Sequence, residues 1–162
     1  MNARASLPPA RPAPARILIG WREWLGLPQL GVTCIRAKVD SGARSSSLHV
    51  LEQELFERDQ RPWVRFMIEH GPRDELRHQA EAEVSDRRLV TDSGGHQQLR
   101  VFIRTQLLLP TGPSWPIEVN LTERHNMQFP LLLGRSALRR RCLVEPARSF
   151  LLGVAAEDRT SP

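Results

Sequence analysis

From Ile17 to Val144 the chain is cut into short strand-forming runs by glycine, proline and aspartate turns, a rhythm that restricts it to an all-β fold. Ile17-Leu18-Ile19 ends at Gly20. Ile35-Arg36-Ala37-Lys38-Val39-Asp40 alternates strictly, with Ile35, Ala37 and Val39 on one face and Arg36, Lys38 and Asp40 on the other. Trp63 to Ile68 is rich in strand formers and runs into the turn signal His70-Gly71-Pro72-Arg73-Asp74. A return strand is expected from about Glu75 to Val90, a second hairpin turn at Asp92-Ser93-Gly94-Gly95, and further strands at Leu99 to Leu109 and Trp115 to Leu121. Leu131-Leu132-Leu133 is a continuous apolar run, the pattern of a strand buried on both faces. Ser136 to Arg141 has room for one or two helical turns before Cys142-Leu143-Val144 returns to strand. A barrel or sandwich with one short helix near the C-terminus follows.

At 162 residues, 40% of them apolar and 25% charged, the chain suits one domain with a single core. Residues 1–15 are Pro, Ala and Arg with little else apolar and read as a disordered leader. Residues 16–152 read as the folded domain, and 153–162 as a flexible tail. No apolar run approaches the ~20 residues needed to span a bilayer, and no secretory h-region is visible, so a cytoplasmic location is expected. Cys34 and Cys142 lie in apolar segments and read as buried free thiols. The formal charge is +5, with Lys38 the only lysine. Its arginines are scattered, aromatics are few and no nucleic-acid motif appears, so nucleic acid is not an expected partner.

The chemistry-bearing candidate is Asp40-Ser41-Gly42, which follows the alternating strand and opens the polar run Ala43-Arg44-Ser45-Ser46-Ser47. An aspartic peptidase needs a carboxylate at a tight turn that a second carboxylate can approach. A neighbouring hydroxyl can bond across to the partner loop, and a glycine lets the backbones close up. Two such carboxylates about 3 Å apart share one proton. One takes a proton from water while the other polarises the scissile carbonyl. Taken alone, the triplet equally describes a β-turn. Likewise, Leu131-Leu132-Leu133-Gly134-Arg135 alone is an ordinary core strand ending in glycine.

Together these segments resemble a known family. The pattern comprises Ile19-Gly20-Trp21-Arg22-Glu23-Trp24, Ala37 to His49 around Asp40-Ser41-Gly42, and Leu133-Gly134-Arg135. Asp86-Arg87-Arg88 with Ser93-Gly94, Trp115-Pro116-Ile117-Glu118, and Leu121-Thr122 with Arg124 and Met127 add to it. Over residues 17–152 the chain resembles the RimB-like, retropepsin-like aspartic peptidase family. That family was formerly labelled ATP-dependent zinc protease, and its genes accompany ATP-grasp glutamate ligases of the RimK type. Ser41 stands where the family usually has Thr and keeps the hydroxyl; Gln98 stands where Glu is expected. The resemblance implies a pepsin- or retropepsin-like half-barrel with Asp40, Ser41 and Gly42 catalytic. Taking Asp40-Ser41-Gly42 as the one Asp-Ser-Gly that the chain supplies, it implies a homodimer about a twofold axis. It also implies a hairpin flap, expected at His70 to Asp74 with Asp92 to Gly95 as the alternative.

The older label finds no support in the residues. There is no H-E-x-x-H, and His49, His70, His78, His96 and His125 lack close ligand spacing. No phosphate-binding G-x-x-x-x-G-K-[ST] loop exists either. Neither a metal nor a cofactor is expected, and ATP dependence would belong to a partner such as the glutamate ligase. Ala43, Arg44, Arg87, Arg88 and Arg135 are candidate substrate-binding positions. The arginines either pair with structural carboxylates such as Glu118 and Asp86, or line the cleft and hold an acidic peptide or protein. Three functions compete: an aspartic peptidase acting on peptide or glutamyl amide bonds, an inactive peptide-binding module of the same fold, and, least favoured, a zinc peptidase.

Overall fold

The computed structural model describes residues 14–123 and 127–153. Most of the expected leader, most of the tail, and Arg124 and His125 lie outside the described residues. The strands are β1 (Ile17–Gly20), β2 (Arg22–Leu27), β3 (Val32–Val39), β4 (Ser46–His49), β5 (Leu51–Arg58) and β6 (Arg61–His70). They continue as β7 (Leu76–Thr91), β8 (Gln97–Leu108), β9 (Ser114–Thr122), β10 (Leu131–Leu133) and β11 (Cys142–Glu145). Among the described residues the helical part is one 3-10 turn (Pro28–Leu30) and one short α-helix, α1 (Arg135–Leu138), before β11, so the all-β expectation holds.

Nine strands form one sheet in the order β2-β3-β10-β4-β9-β8-β7-β6-β5. Strand β2 also meets β8, at Gly26 opposite Leu108, which closes the sheet on itself. Gly26 suits this closure, because a Cβ there would come within 3.2 Å of the Thr33 carbonyl oxygen. The long β7 serves two layers. Its first half pairs with β6, and after a bulge between Val84 and Asp86 it pairs with β8. Period-two burial fills the interior: Val64, Phe66 and Ile68 of β6 point in, while Arg65 and Glu69 stay half-exposed. Ile35, Ile103, Leu107, Leu131 and Leu133 complete the core.

Three strands were not expected from the sequence, and each has a physical reason. Strand β4 is serine-rich, and its hydroxyls bond to Asn120 of β9 and to the Gly134 N–H after β10. Strand β5 is the sheet edge, where charge replaces alternation: Glu54 pairs with Arg65, and Arg58 with Glu81. Strand β2 carries Glu23 inward, which hides its apolar pattern. The helix also starts and ends earlier than the expected Ser136 to Arg141. Neither cysteine forms a disulfide. Cys34 is buried, and burial pushes the half-buried Cys142 up to about 11.

Candidate active site

Strand β3 delivers Asp40 to a loop that a later strand threads. Strand β10 lies between β3 and β4, parallel to β3 (Leu133 beside Val39) and antiparallel to β4 (Leu131 beside Leu48). The two strands flanking the Asp40 loop are therefore held apart by a third. Asp40 donates its N–H to the Leu133 carbonyl at 2.8 Å, fixing the carboxylate's backbone where β3 ends. Its own side chain closes the turn, Oδ1 accepting the Gly42 N–H at 3.2 Å.

The segment after β10 braces the same loop. Arg135 and Ser136 donate backbone N–H groups to the Ala43 and Arg44 carbonyls at 2.9 and 3.0 Å. Gly134 donates to Ser46 Oγ at 3.0 Å. The Arg135 guanidinium donates through Nη1 to the Ser41 and Gly42 carbonyls at 2.9 and 3.0 Å. From β9, Asn120 donates to the Ser46 carbonyl at 2.8 Å and accepts from Ser47 Oγ at 3.1 Å.

Asp40 opens into a cleft of ≈ 640 Å³, shared with Arg44, Ser47, Arg100, Asn120 and residues 90–93 of the β7–β8 turn. Residues 90–93, rather than His70 to Asp74, line this cleft with Asp40. The expected flap at His70 to Asp74 folds instead onto the outside of β3. There Gly71 donates to the Cys34 carbonyl at 2.9 Å and Asp74 pairs with Arg36.

The Asp-Ser-Gly triplet also recurs within the chain, as Asp92-Ser93-Gly94 on the rim of this cleft. The settings differ. Asp92 Oδ1 accepts the N–H groups of Gly94 and His96, both at 2.9 Å, and so ties its own hairpin turn. Among the described residues no strand threads that turn as β10 threads the Asp40 loop.

The candidate residues separate accordingly. Asp40, Gly42, Ala43 and Arg44 share the cleft. Ser41 lies on the opposite side of its loop, in a depression with Arg44, Arg135 and Val144. Arg88 takes the structural reading: it pairs with Asp86 at 2.9 Å and with Glu118, and its guanidinium lies 3.8 Å from the Phe102 ring centroid. Arg87 is exposed on β7, its backbone N–H on Asp86 Oδ1. Arg135 holds the loop's carbonyls. Sequence reasoning missed Arg100, which is only 7% exposed and yet lines the cleft. His49 is buried on β4, and among the described residues no three His, Cys, Asp or Glu side chains gather as a metal-binding group.

A closed β-barrel whose aspartate loop is threaded by a later hydrophobic strand, itself ending in glycine, defines a retropepsin-like protein. The chain belongs to the RimB-like family, described as retropepsin-like aspartic endopeptidase RimB, which it matches over residues 18–153. It is 40% identical over 141 residues to a probable alpha-L-glutamate ligase of Shewanella pealeana, covering 85% of this chain and 30% of that one. A ligase of the same name from Desulfotalea psychrophila is 38% identical over 146 residues, covering 89% of this chain and 31% of the other. The chain thus spans under a third of the length of these relatives. A crystal structure of a Legionella pneumophila protein of unknown function superposes with a TM-score of 0.69 at 26% identity, covering 85% of this chain and 99% of that one.

Proposed function

We propose that this chain is one half of a homodimeric aspartic peptidase in which Asp40 of each copy supplies one carboxylate. The observation that carries the reading is the braced position of Asp40, at the threaded end of β3 and open to a cleft large enough for an extended peptide. In the pair, one carboxylate takes a proton from water, and the oxygen forms a bond to the scissile carbonyl carbon. The other carboxylate, protonated, donates to the carbonyl oxygen. The tetrahedral diol then collapses, the C–N bond breaks, and the amine leaves with a proton. Gly42 keeps the loop tight, Ser41 supplies a hydroxyl toward the partner loop, and the β7–β8 turn acts as the flap.

A second copy would also cover apolar surface. Leu18 and Leu143, in register on β1 and β11, are 50% and 49% exposed. Arg44 at the cleft mouth favours acidic substrates, in keeping with relatives named for a glutamate ligase. We read the ligase as a functional partner and the cytoplasm as the site of action; no helix among the described residues is long and apolar enough to cross a membrane.

Asp40→Asn should abolish cleavage of glutamate-rich peptides and leave the fold intact, because the amide cannot share the dyad proton. Full activity in that variant would end the proposal. Loss of cleavage with retained peptide binding is the expected result. Binding by a wild-type protein that never cleaves would instead make the chain a peptide-binding module.

A further inference from the structure

We propose that Asn120 is a positioning residue, which holds the Asp40 carboxylate in its working place through a single peptide plane. This rests on the reading of Asp40 as the catalytic carboxylate. Asn120 lies near the end of β9, 1% exposed, and lines the Asp40 cleft. A buried side-chain amide is costly unless its donor and acceptor are both used. Here Nδ2 donates to the Ser46 carbonyl at 2.8 Å. Oδ1 accepts from Ser47 Oγ at 3.1 Å and from Arg100 Nη1 at 3.0 Å. A carbonyl only accepts and a guanidinium only donates, so the position requires one group that does both. Leucine would do neither, and an ionised aspartate would have no donor for Ser46.

From Ser46 the restraint passes to Asp40 in two steps. Ser46 is fully buried, and its Oγ accepts the Gly134 N–H at 3.0 Å. That N–H and the Leu133 carbonyl belong to the same peptide group, and the Leu133 carbonyl accepts the Asp40 N–H at 2.8 Å. One rigid plane is therefore gripped by Ser46 on one edge and by Asp40 on the other. Tilting it moves both. Gly134 also packs too close to the Ser45 backbone to accept a Cβ, so the plane has little room to settle elsewhere. Ser41 and Gly42 are exposed, so the catalytic turn takes its position from these bonds beneath it. Asn120 fixes where Ser46 stands, and Ser46 fixes the plane that carries Asp40. Displacing that plane would separate the two carboxylates of the pair, and carboxylates couple less strongly as they part.

The test compares pH profiles of kcat and kcat/KM for wild type and Asn120→Ala on one peptide, corrected for folded protein. Asn120→Ala should lose ~10-fold to ~100-fold in kcat while KM stays within ~3-fold. The two limbs of its kcat/KM profile should also draw together, because the dyad's apparent pKa values approach each other. Ser46→Ala breaks the same path at Gly134, should give the same signature, and serves if Asn120→Ala does not fold. The double variant should be little worse than either single one. A loss confined to KM would make Asn120 a substrate contact, and unmoved limbs with normal kcat per folded chain would make it structural. Either result overturns the assignment. Hydrogen exchange gives a reading that needs no turnover. Exchange at the Asp40 and Gly134 amides should quicken ~10-fold or more in Asn120→Ala, with the β6 amides as in wild type. Unchanged exchange at Asp40 refutes the path. Absence of Asp40-dependent cleavage overturns the peptidase reading instead, and exchange alone then decides whether Asn120 positions Asp40.

Discussion

Gly134 lies against the backbone of Ser45 so closely that a Cβ on it would sit 2.5 Å from the Ser45 carbonyl carbon and oxygen. Its φ of −81° is open to any residue, so space alone requires glycine here. The contact is between β10 and the loop that carries Asp40. Gly134→Ala should therefore cost ~1–3 kcal/mol of stability, since the obstructing atoms are backbone and cannot rotate away. Cleavage should fall further than stability, because the shift displaces Ser45, Arg44 and the turn at Asp40. Thermal unfolding measured beside turnover checks both, and an alanine variant with unaltered activity would contradict this account of the brace.

Glu23 is 1% exposed and accepts three backbone N–H groups: Gly20 at 2.7 Å and Leu151 at 2.9 Å on Oε1, and Leu152 at 3.2 Å on Oε2. It ties the β1–β2 junction to the segment after β11. Glu23→Gln replaces one acceptor oxygen with an NH₂ group facing a donor, and should cost about 1–3 kcal/mol. Glu23→Ala, which strands all three donors, should cost more. Urea unfolding of the two variants tests the order, and a Gln variant as stable as wild type would show that the third hydrogen bond carries no weight.

The parts of this molecule that were legible in its sequence are those where one face is apolar and the other wet. Ile35 to Val39 and Trp63 to Ile68 announce themselves as strands for that reason, and Asp40 was found because it ends the first of them. The threading of β10 beside β3 was not readable from spacing, which offers only a core strand ending in glycine. Arg100 was hidden by its place in the alternation. Ile103, Thr105 and Leu107 are the core-facing set of β8, which puts Arg100 on the other face and predicts it exposed. It shares that face with Phe102, and both are enclosed, the Arg88 guanidinium covering the Phe102 ring. The two Gly-containing turns offered as flap look alike in sequence; only the fold sets residues 90–93 in the wall of the Asp40 cleft and His70 to Asp74 against β3.

His70 should make stability depend on pH between neutrality and mild acid. It is buried at the end of β6, and burial lowers its pKa from the ordinary 6.5. The charge of His78 lowers it further, with the ring centroids 6.4 Å apart, while a backbone hydrogen bond to Cys34 and the Glu75 carboxylate oppose the shift. A depressed histidine pKa means that the unfolded chain binds the proton first. Stability should therefore fall as pH drops below about 6.5, and level off once His70 protonates in the fold. His70→Asn should flatten the decline between pH 7.5 and 5.5 relative to wild type, as followed by denaturant midpoint. Equal slopes in both proteins would remove His70 as the cause.

Whether the second carboxylate comes from another copy or from Asp92 of the same chain is decided by mixing. In the proposed pair, each active site needs Asp40 from both copies, so a heterodimer of wild type and Asp40→Asn has no complete dyad. At a one-to-one ratio with free exchange, about one quarter of the dimers keep both carboxylates, against half if each chain worked alone. Activity per wild-type chain should thus fall to about half on adding an equal amount of Asp40→Asn, and toward zero with a large excess. It should also fall steeply on dilution, as subunits separate. A single-chain dyad of Asp40 and Asp92 predicts neither effect, and predicts that Asp92→Asn is as inactive as Asp40→Asn. The hydrogen bonds that commit Asp92 to Gly94 and His96 argue against that arrangement. Wild-type activity indifferent to added Asp40→Asn would nevertheless establish it and end the homodimer proposal.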